Sequence, residues 1–214
     1  MSDFEIDWER EQRTGVAEAM LCVGKSAAQI DAILEAAAGR HLLLTRLDPD
    51  KRTGLRAELD YDPLSGTAFF GAGAAATLPG VGIVCAGTSD LPVAQEAART
   101  LGFHGYDAPV IADVGVAGLW RLLRRLEEIR AFKVVIAVAG MEGALFSVLA
   151  GLVEAPVIAV PVSVGYGVAA GGQGALSSAL ASCAPGLVTV NIDNGFGAAC
   201  AAIKMLRVAR TGRG

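Results

Sequence analysis

From residue 78 onward, short continuous apolar runs alternate with helical stretches, and this alternation constrains the fold more than any other feature of the chain. Strand-length runs fall at 82–86, 109–113, 134–139, 157–161 and 187–192, and helix-patterned stretches at 93–101, 118–129, 144–152, 174–182 and 197–208. A strand that is apolar on both faces must be covered on both, and a helix after each strand supplies the cover. The pattern therefore specifies a doubly wound α/β domain on a parallel sheet, spanning 78–214. In such open sheets ligands sit beyond the carboxyl ends of the strands, so the loops that follow the strands are where chemistry is expected.

Residues 1–77 read differently, as a small α+β appendage. Charges alternate over 3–13 around Phe4, Ile6 and Trp8, and Ser26 stands as a cap before a helical pattern at 27–38. A strand is expected at 41–45, a polar turn cluster at 48–54, and a second strand at 55–61 paired with the first or with 67–70. Most Lys and Arg residues here are read as solvated surface.

Composition narrows the class. A formal net charge of −4 argues against a general nucleic-acid binder, and no apolar run reaches membrane-spanning length without Gly or charge interruptions. The acidic start lacks a signal peptide's basic region. Cys22, Cys85, Cys183 and Cys200 lie far apart in mostly apolar surroundings, a pattern of reduced thiols rather than a disulfide framework or zinc site. A cytoplasmic protein is expected.

Four loops stand where a site belongs. The run at 82–86 ends in Gly87-Thr88-Ser89-Asp90, and Pro92 opens the next helix. Either Asp90 or Ser89 caps an ordinary helix there, or the junction aims N–H groups and hydroxyls at a phosphate or carboxylate. Gly140-Met141-Glu142-Gly143 follows the third strand, with glycines that admit a ligand closely and a carboxylate for a ribose hydroxyl or a proton. Ser163-Val164-Gly165-Tyr166-Gly167 and the mobile-looking 169–172 follow the fourth, a loop suited to phosphate or simply to connection. Asp193-Asn194-Gly195 follows the fifth. No dinucleotide-binding glycine fingerprint and no Walker loop is present, which disfavours hydride transfer.

Cys183 lies in Ser182-Cys183-Ala184-Pro185-Gly186, between a helix and the last strand. Its neighbours indicate a surface turn. The end of a helix disfavours a thiolate, and this turn leads into the wrong edge of the sheet for a site; a neighbouring subunit's pocket would resolve both difficulties. Cys85 and Cys200 read as structural. His41 and His104 have no convincing partners, so a histidine triad is not expected.

Taken together, Gly87-Thr88-Ser89-Asp90 with Pro92, Gly115–Gly118, Ala139–Ala144, Ser163–Gly167, Ser182-Cys183 and Asn191–Gly197 resemble the LarB family, the pyridinium-3,5-biscarboxylic acid mononucleotide synthases of nickel-pincer nucleotide synthesis. The match is dense over about 80–200 and thinner at Arg13, Gly15, Glu18, Gly24-Lys25 and Thr45-Arg46. The resemblance implies a C-terminal domain similar to aminoimidazole ribonucleotide carboxylase, with flavodoxin-type layering. It implies carboxylation of nicotinic acid adenine dinucleotide with CO₂ or bicarbonate and release of AMP. Cys183 would add to the pyridinium ring, Asp90 remove the proton, Ser89 hold a carboxylate, and Glu142 order the ribose or ring. Gly87, Thr88, Gly140, Met141, Gly143, Ser163, Gly165, Tyr166, Gly167 and Asn194 would bind substrate. Mg²⁺ at the phosphoanhydride is left open, and no organic cofactor is expected. A homo-oligomer, octamer or tetramer, with no nucleic-acid or membrane partner, is implied. Three positions depart from the family pattern: Trp120 replaces a frequent His, Phe146 a Pro, and Val16-Ala17 a Phe-Pro pair. The rival readings are an aminoimidazole ribonucleotide carboxylase or mutase, which leaves Cys183 idle and lacks its loop histidine, and a nucleotide-binding module without turnover.

Overall fold

The computed structural model describes residues 4–71, 73 and 75–211. The acidic start at 1–3 and the last three residues of the 78–214 region lie outside these.

The N-terminal region is a four-stranded sheet, β1 (Ala19–Leu21), β2 (Leu42–Thr45), β3 (Asp60–Asp62) and β4 (Thr67–Phe70), in the order β1-β2-β4-β3. Three helices accompany it: α1 (Arg10–Thr14), α2 (Ala27–Ala36) and α3 (Pro49–Thr53). Ser26 caps α2 as expected: it accepts from Gln29 N–H while Gln29 reaches back to the Ser26 N–H. Ile30 and Leu34 of α2 pack on Leu42 and Leu44, all buried. The polar cluster at 48–54 is a helix rather than a turn. Asp48 accepts from Asp50 N–H and Pro49 opens the first turn, so turn-forming residues here spell a helix start. The strand expected at 55–61 shrinks to β3 and pairs only with β4, because Leu55 drops into the core and Arg56 is drawn to Asp31 and Glu35 of α2. Strand β1 was too short to show a period in the sequence.

The second sheet is fully parallel, as expected. Its strands are β5 (Val81–Cys85), β6 (Val110–Ile111), β7 (Val134–Ala139), β8 (Val157–Pro161) and β9 (Leu187–Thr189), in the order β6-β5-β7-β8-β9. Helices α4 (Leu91–Phe103), α5 (Leu119–Arg124), α6 (Leu126–Arg130), α7 (Ala144–Ala150), α8 (Gln173–Ala181) and α9 (Gly195–Thr211) connect and cover them. Strand β7 shows why the runs are continuous. Its Val134, Ile136 and Val138 join a core with Ala94, Leu101, Ala202 and Ile203 under α4 and α9. Its Val135, Ala137 and Ala139 join another with Leu122, Phe146 and Leu149 under α5 and α7. Both faces are dry. The edge strands β6 and β9 are shorter than their apolar runs, since each has one neighbour only. The single helix expected at 118–129 breaks at Arg125.

The two sheets are tied at α4. Arg99 donates to Asp60 and Thr67 and lies 4.0 Å over the Phe69 ring, while His104 Nε2 accepts from Ala17 N–H at 3.1 Å. With an N–H aimed at Nε2, the proton sits on Nδ1, facing the Thr100 carbonyl at 2.8 Å. Burial lowers the His104 pKa below its ordinary 6.5, outweighing the Thr100 bond and Glu11, with Arg207 adding to the fall. A lowered folded-state pKa means stability that is present above pH 6.5 and lost as the pH drops through the folded value. Thermal melts across this range should therefore fall more steeply on acidification in the wild type than in His104→Gln, which accepts without titrating. Parallel curves would show that the imidazole is not part of the clamp.

Candidate active site

The chain crosses from β5 to β6 on one side and then back from β6 to β7 on the other side of β5, so the crevice lies between the loops that follow β5 and β7. Asp90 sits at that point. Its Oδ2 accepts from Gly87 N–H at 2.8 Å, closing the turn at Thr88–Asp90, and the Gly140 N–H also faces it. The residue is 5% exposed, and burial raises its carboxyl above the ordinary aspartate range against the pull of those two N–H groups. Neither Asp90 nor Ser89 caps α4, contrary to one of the two sequence readings; the carboxylate is turned back onto its own loop. Thr88 and Ser89 are exposed at the mouth.

The other loops are stitched to this one. A Cβ at Gly140 would lie 2.2 Å from the Val164 carbonyl oxygen, which also accepts from Met141 N–H at 3.3 Å. Only glycine allows that approach. Gly143, in left-handed backbone, starts α7 beside the Phe146 ring, and Glu142 between them is exposed. Ser163 N–H donates to Asp193 Oδ1 at 2.8 Å, and a Cβ at Gly165 would meet the Ala169 carbonyl at 2.5 Å. Tyr166 is 79% exposed and Gly167 is left-handed. The 169–172 stretch is not mobile-looking in the fold: Ala169 and Gly172 are buried, Gly172 tight against Ile192 and Val162. Asn194 Oδ1 accepts from Gly197 N–H and so caps α9.

Asp113, Arg46 and Arg121 at this edge escaped the sequence reading of the site. Asp113, Met141 and Asp193 follow β6, β7 and β9 in left-handed backbone, and Arg46, just past β2, shares that conformation. Such strain in non-glycine residues gathers at functional loops. Arg46 donates to the Asp193 carbonyl from the N-terminal region, and Arg121 of α5 pairs with Asp113 beside the Gly87 loop. Left-handed backbone at Asp or Arg leaves no trace in a single sequence. Trp120 is exposed, with the Arg124 guanidinium 4.6 Å over its ring.

Cys183 is not brought to these loops within one chain. It is exposed, just past the end of α8 at the opposite edge of the sheet, with Ser182 bonded to Ser147 at 2.7 Å. At about 3.3 Å per strand residue, the length of β8 alone separates it from the crevice edge by roughly 15 Å, and two strand spacings lie between β9 and β7 besides. All four cysteines are free; burial pushes Cys22, Cys85 and Cys200 up to about 11. Both histidines lie away from the crevice, His104 at the far end of α4 and His41 ahead of β2. Among the described residues no three His, Cys, Asp or Glu side chains converge on a metal position. No described helix is long and apolar enough to cross a membrane.

A parallel sheet with a buried carboxylate and close-packed glycine loops at its switch point defines an α/β protein with a candidate small-ligand site at its carboxyl edge. Its particular kinship follows from comparison: residues 80–212 match the AIR carboxylase family model, and residues 1–71 match the LarB/PurE-like N-terminal domain. The chain belongs to the AIR carboxylase family, in the LarB arrangement of the two domains. It is 52% identical over 120 residues to an uncharacterized protein of Methanocaldococcus jannaschii, matching 55% of this chain and 46%, about half, of that relative's length. It is 36% identical over 139 residues to the N5-carboxyaminoimidazole ribonucleotide mutase of Pyrococcus abyssi, covering 61% of this chain and 75% of the mutase. A crystal structure of a PurE2 point variant from Treponema denticola shares the fold, with a TM-score of 0.51, 24% identity, and coverage of 62% of this chain and 82% of that one.

Proposed function

We propose that this protein carboxylates the pyridinium ring of nicotinic acid adenine dinucleotide and releases AMP, giving pyridinium-3,5-biscarboxylic acid mononucleotide in the cytosol. The observation that carries this reading is the union of a LarB-type N-terminal domain with an AIR-carboxylase domain whose crevice holds a buried Asp90 and, among the described residues, no histidine.

The chemistry fits the residues. A pyridinium ring is electron-poor and does not attack CO₂. Addition of the Cys183 thiolate to the ring carbon beside the target position forms a C–S bond and places the electron pair in a dihydropyridine, whose enamine carbon is nucleophilic. That carbon bonds to CO₂. Asp90 then takes the proton from it, and the electrons left behind expel the thiolate and restore the aromatic ring. Ser89 at the loop tip is placed for a substrate carboxylate, with Glu142 across the crevice for the ribose. A water oxygen bonds to the phosphorus on the nicotinate side, the bridging P–O bond breaks with its electron pair on the AMP phosphate, and the water proton passes to solvent as AMP leaves.

Cys183 reaches the crevice in this reading only from a second copy, so the active form is a homo-oligomer with shared sites. Exposed apolar residues support such contacts: Met141, Val164 and Tyr166 at the crevice edge, Leu180 and Val188 around Cys183.

The test is mass spectrometry of protein incubated with the dinucleotide and bicarbonate, with and without Mg²⁺. The expected product is nicotinic acid mononucleotide plus one carboxyl group, with an equivalent of AMP. The Pyrococcus relatives favour a second reading, mutase activity on N5-carboxyaminoimidazole ribonucleotide, which the same assay with that substrate decides. Turnover of the imidazole and not of the dinucleotide would replace the first reading.

A further inference from the structure

Between the two sheets lies a cavity of about 400 Å³ that the ring chemistry does not use. One wall is the free edge of β1 and the turn after it, where Leu21 and Val23 are 50% and 58% exposed. The other is the β9–α9 loop, with Asn191, Asn194 and Phe196, and between the walls stand Arg46 and Glu96. A smaller recess, lined by Arg46, Pro92, Val93, Glu96 and Asp193, adjoins the start of α4, two residues past Asp90.

We infer that this interdomain cavity is the subsite for the nucleoside monophosphate half of the substrate, with Arg46 holding its phosphate. The inference rests on the dinucleotide reading for the ligand's identity. Apolar walls with a few placed polar groups, at a volume inside the usual range for small-molecule sites, suit a flat heterocycle on a sugar. Arg46 uses one nitrogen on the Asp193 carbonyl and stands 3.8 Å from Glu96, so other guanidinium donors remain for a phosphate. Its backbone is left-handed, a conformation that gathers at functional sites. Asn194 Oδ1 is taken by Gly197 N–H and Asn191 Oδ1 by Ile192 N–H, which leaves both amide NH₂ groups for acceptors on a base. The β9–α9 loop packs directly on α4, Gly195 against Val93 and the Phe196 N–H on Glu96, so the cavity adjoins the Asp90 loop and one dinucleotide can occupy both. The N-terminal domain then closes the half of the site that binds the leaving group, which gives it a part in the reaction.

AMP is the probe. Calorimetry on the full chain should show AMP binding, with inorganic phosphate a much poorer competitor, and AMP should inhibit dinucleotide turnover competitively. Val23→Trp fills the cavity from an exposed position, and Arg46→Gln removes the cation. Each should weaken AMP at least roughly tenfold, Arg46→Gln by the loss of one charge-assisted bond and Val23→Trp by occupying the space of the base, and raise the KM for the dinucleotide. AMP affinity unchanged in a Val23→Trp protein that melts as the wild type does would overturn the subsite. So would phosphate competing as well as AMP. If Val23→Trp fails to fold, the Arg46→Gln titration decides. A wild type that makes no carboxylated product but whose AMP binding falls in both variants would sink the reaction and leave the subsite standing.

Discussion

Cys183→Ala is expected to abolish carboxylation of the dinucleotide, by about 10⁴-fold or more, because the ring stays an electrophile without a nucleophile to reverse its polarity. Folding should not suffer, since the side chain is exposed and the neighbouring Ser182–Ser147 bond does not involve it. Cys183→Ser should be nearly as inert, because a hydroxyl is neither soft nor ionised at neutral pH. The far-edge position makes a sharper test. If one copy supplies the thiol and another the crevice, inactive Cys183→Ala and strongly impaired Asp90→Asn proteins should on co-assembly exceed the activity of either alone, since some mixed sites hold both intact groups. Activity that never returns on mixing, with both variants assembled normally, would remove the shared site.

Much of this architecture was legible because burial on both faces writes itself into the sequence. The runs at 134–139 and 157–161 are β7 and β8 to the residue, since interior strands of a parallel sheet tolerate only apolar side chains. Legibility failed at edges and in short pieces. Strand β1 has three residues, and α3 hides in a Pro-Asp cluster that spells a turn as readily as a cap. The crevice was half legible. Loops rich in Gly, Ser and Asp after strands pointed to the correct edge, and the packing of Gly140 on Val164 gives the physical reason for one of those glycines. The direction in which Asp90 turns was not readable, because cap and loop bridge use the same residue at the same place. Arg46 was also out of reach as part of the crevice rim: it acts across about 150 residues of chain, through a bond to a carbonyl whose position depends on left-handed backbone at Asp193.

Asp90→Asn should lower kcat/KM by about 10²–10⁴, the usual contribution of a positioned general base, while leaving substrate binding largely intact. The wild-type pH profile should carry the signature. Only the ionised carboxylate takes a proton, and burial raises the Asp90 pKa above its ordinary 3.8, so activity on acidification should fall at a higher pH than an ordinary aspartate would give. The residual activity of the amide variant should lack that limb. Stability should move the other way. A carboxyl with a raised folded-state pKa favours the fold while protonated, below the unfolded value, and loses that contribution as the pH rises through the folded one. At neutral pH the buried charge is therefore a cost to the fold, offset only in part by the Gly87 and Gly140 N–H groups. The amide keeps an acceptor for Gly87 and carries no charge, so Asp90→Asn should melt at a higher temperature than wild type at pH 7, with the gap closing in acid. A catalytic group and a structural bridge predict opposite signs here. An aspartate that only tied the two loops together would leave the variant active and no more stable, whereas a slower, more stable enzyme is what a charge held for chemistry requires.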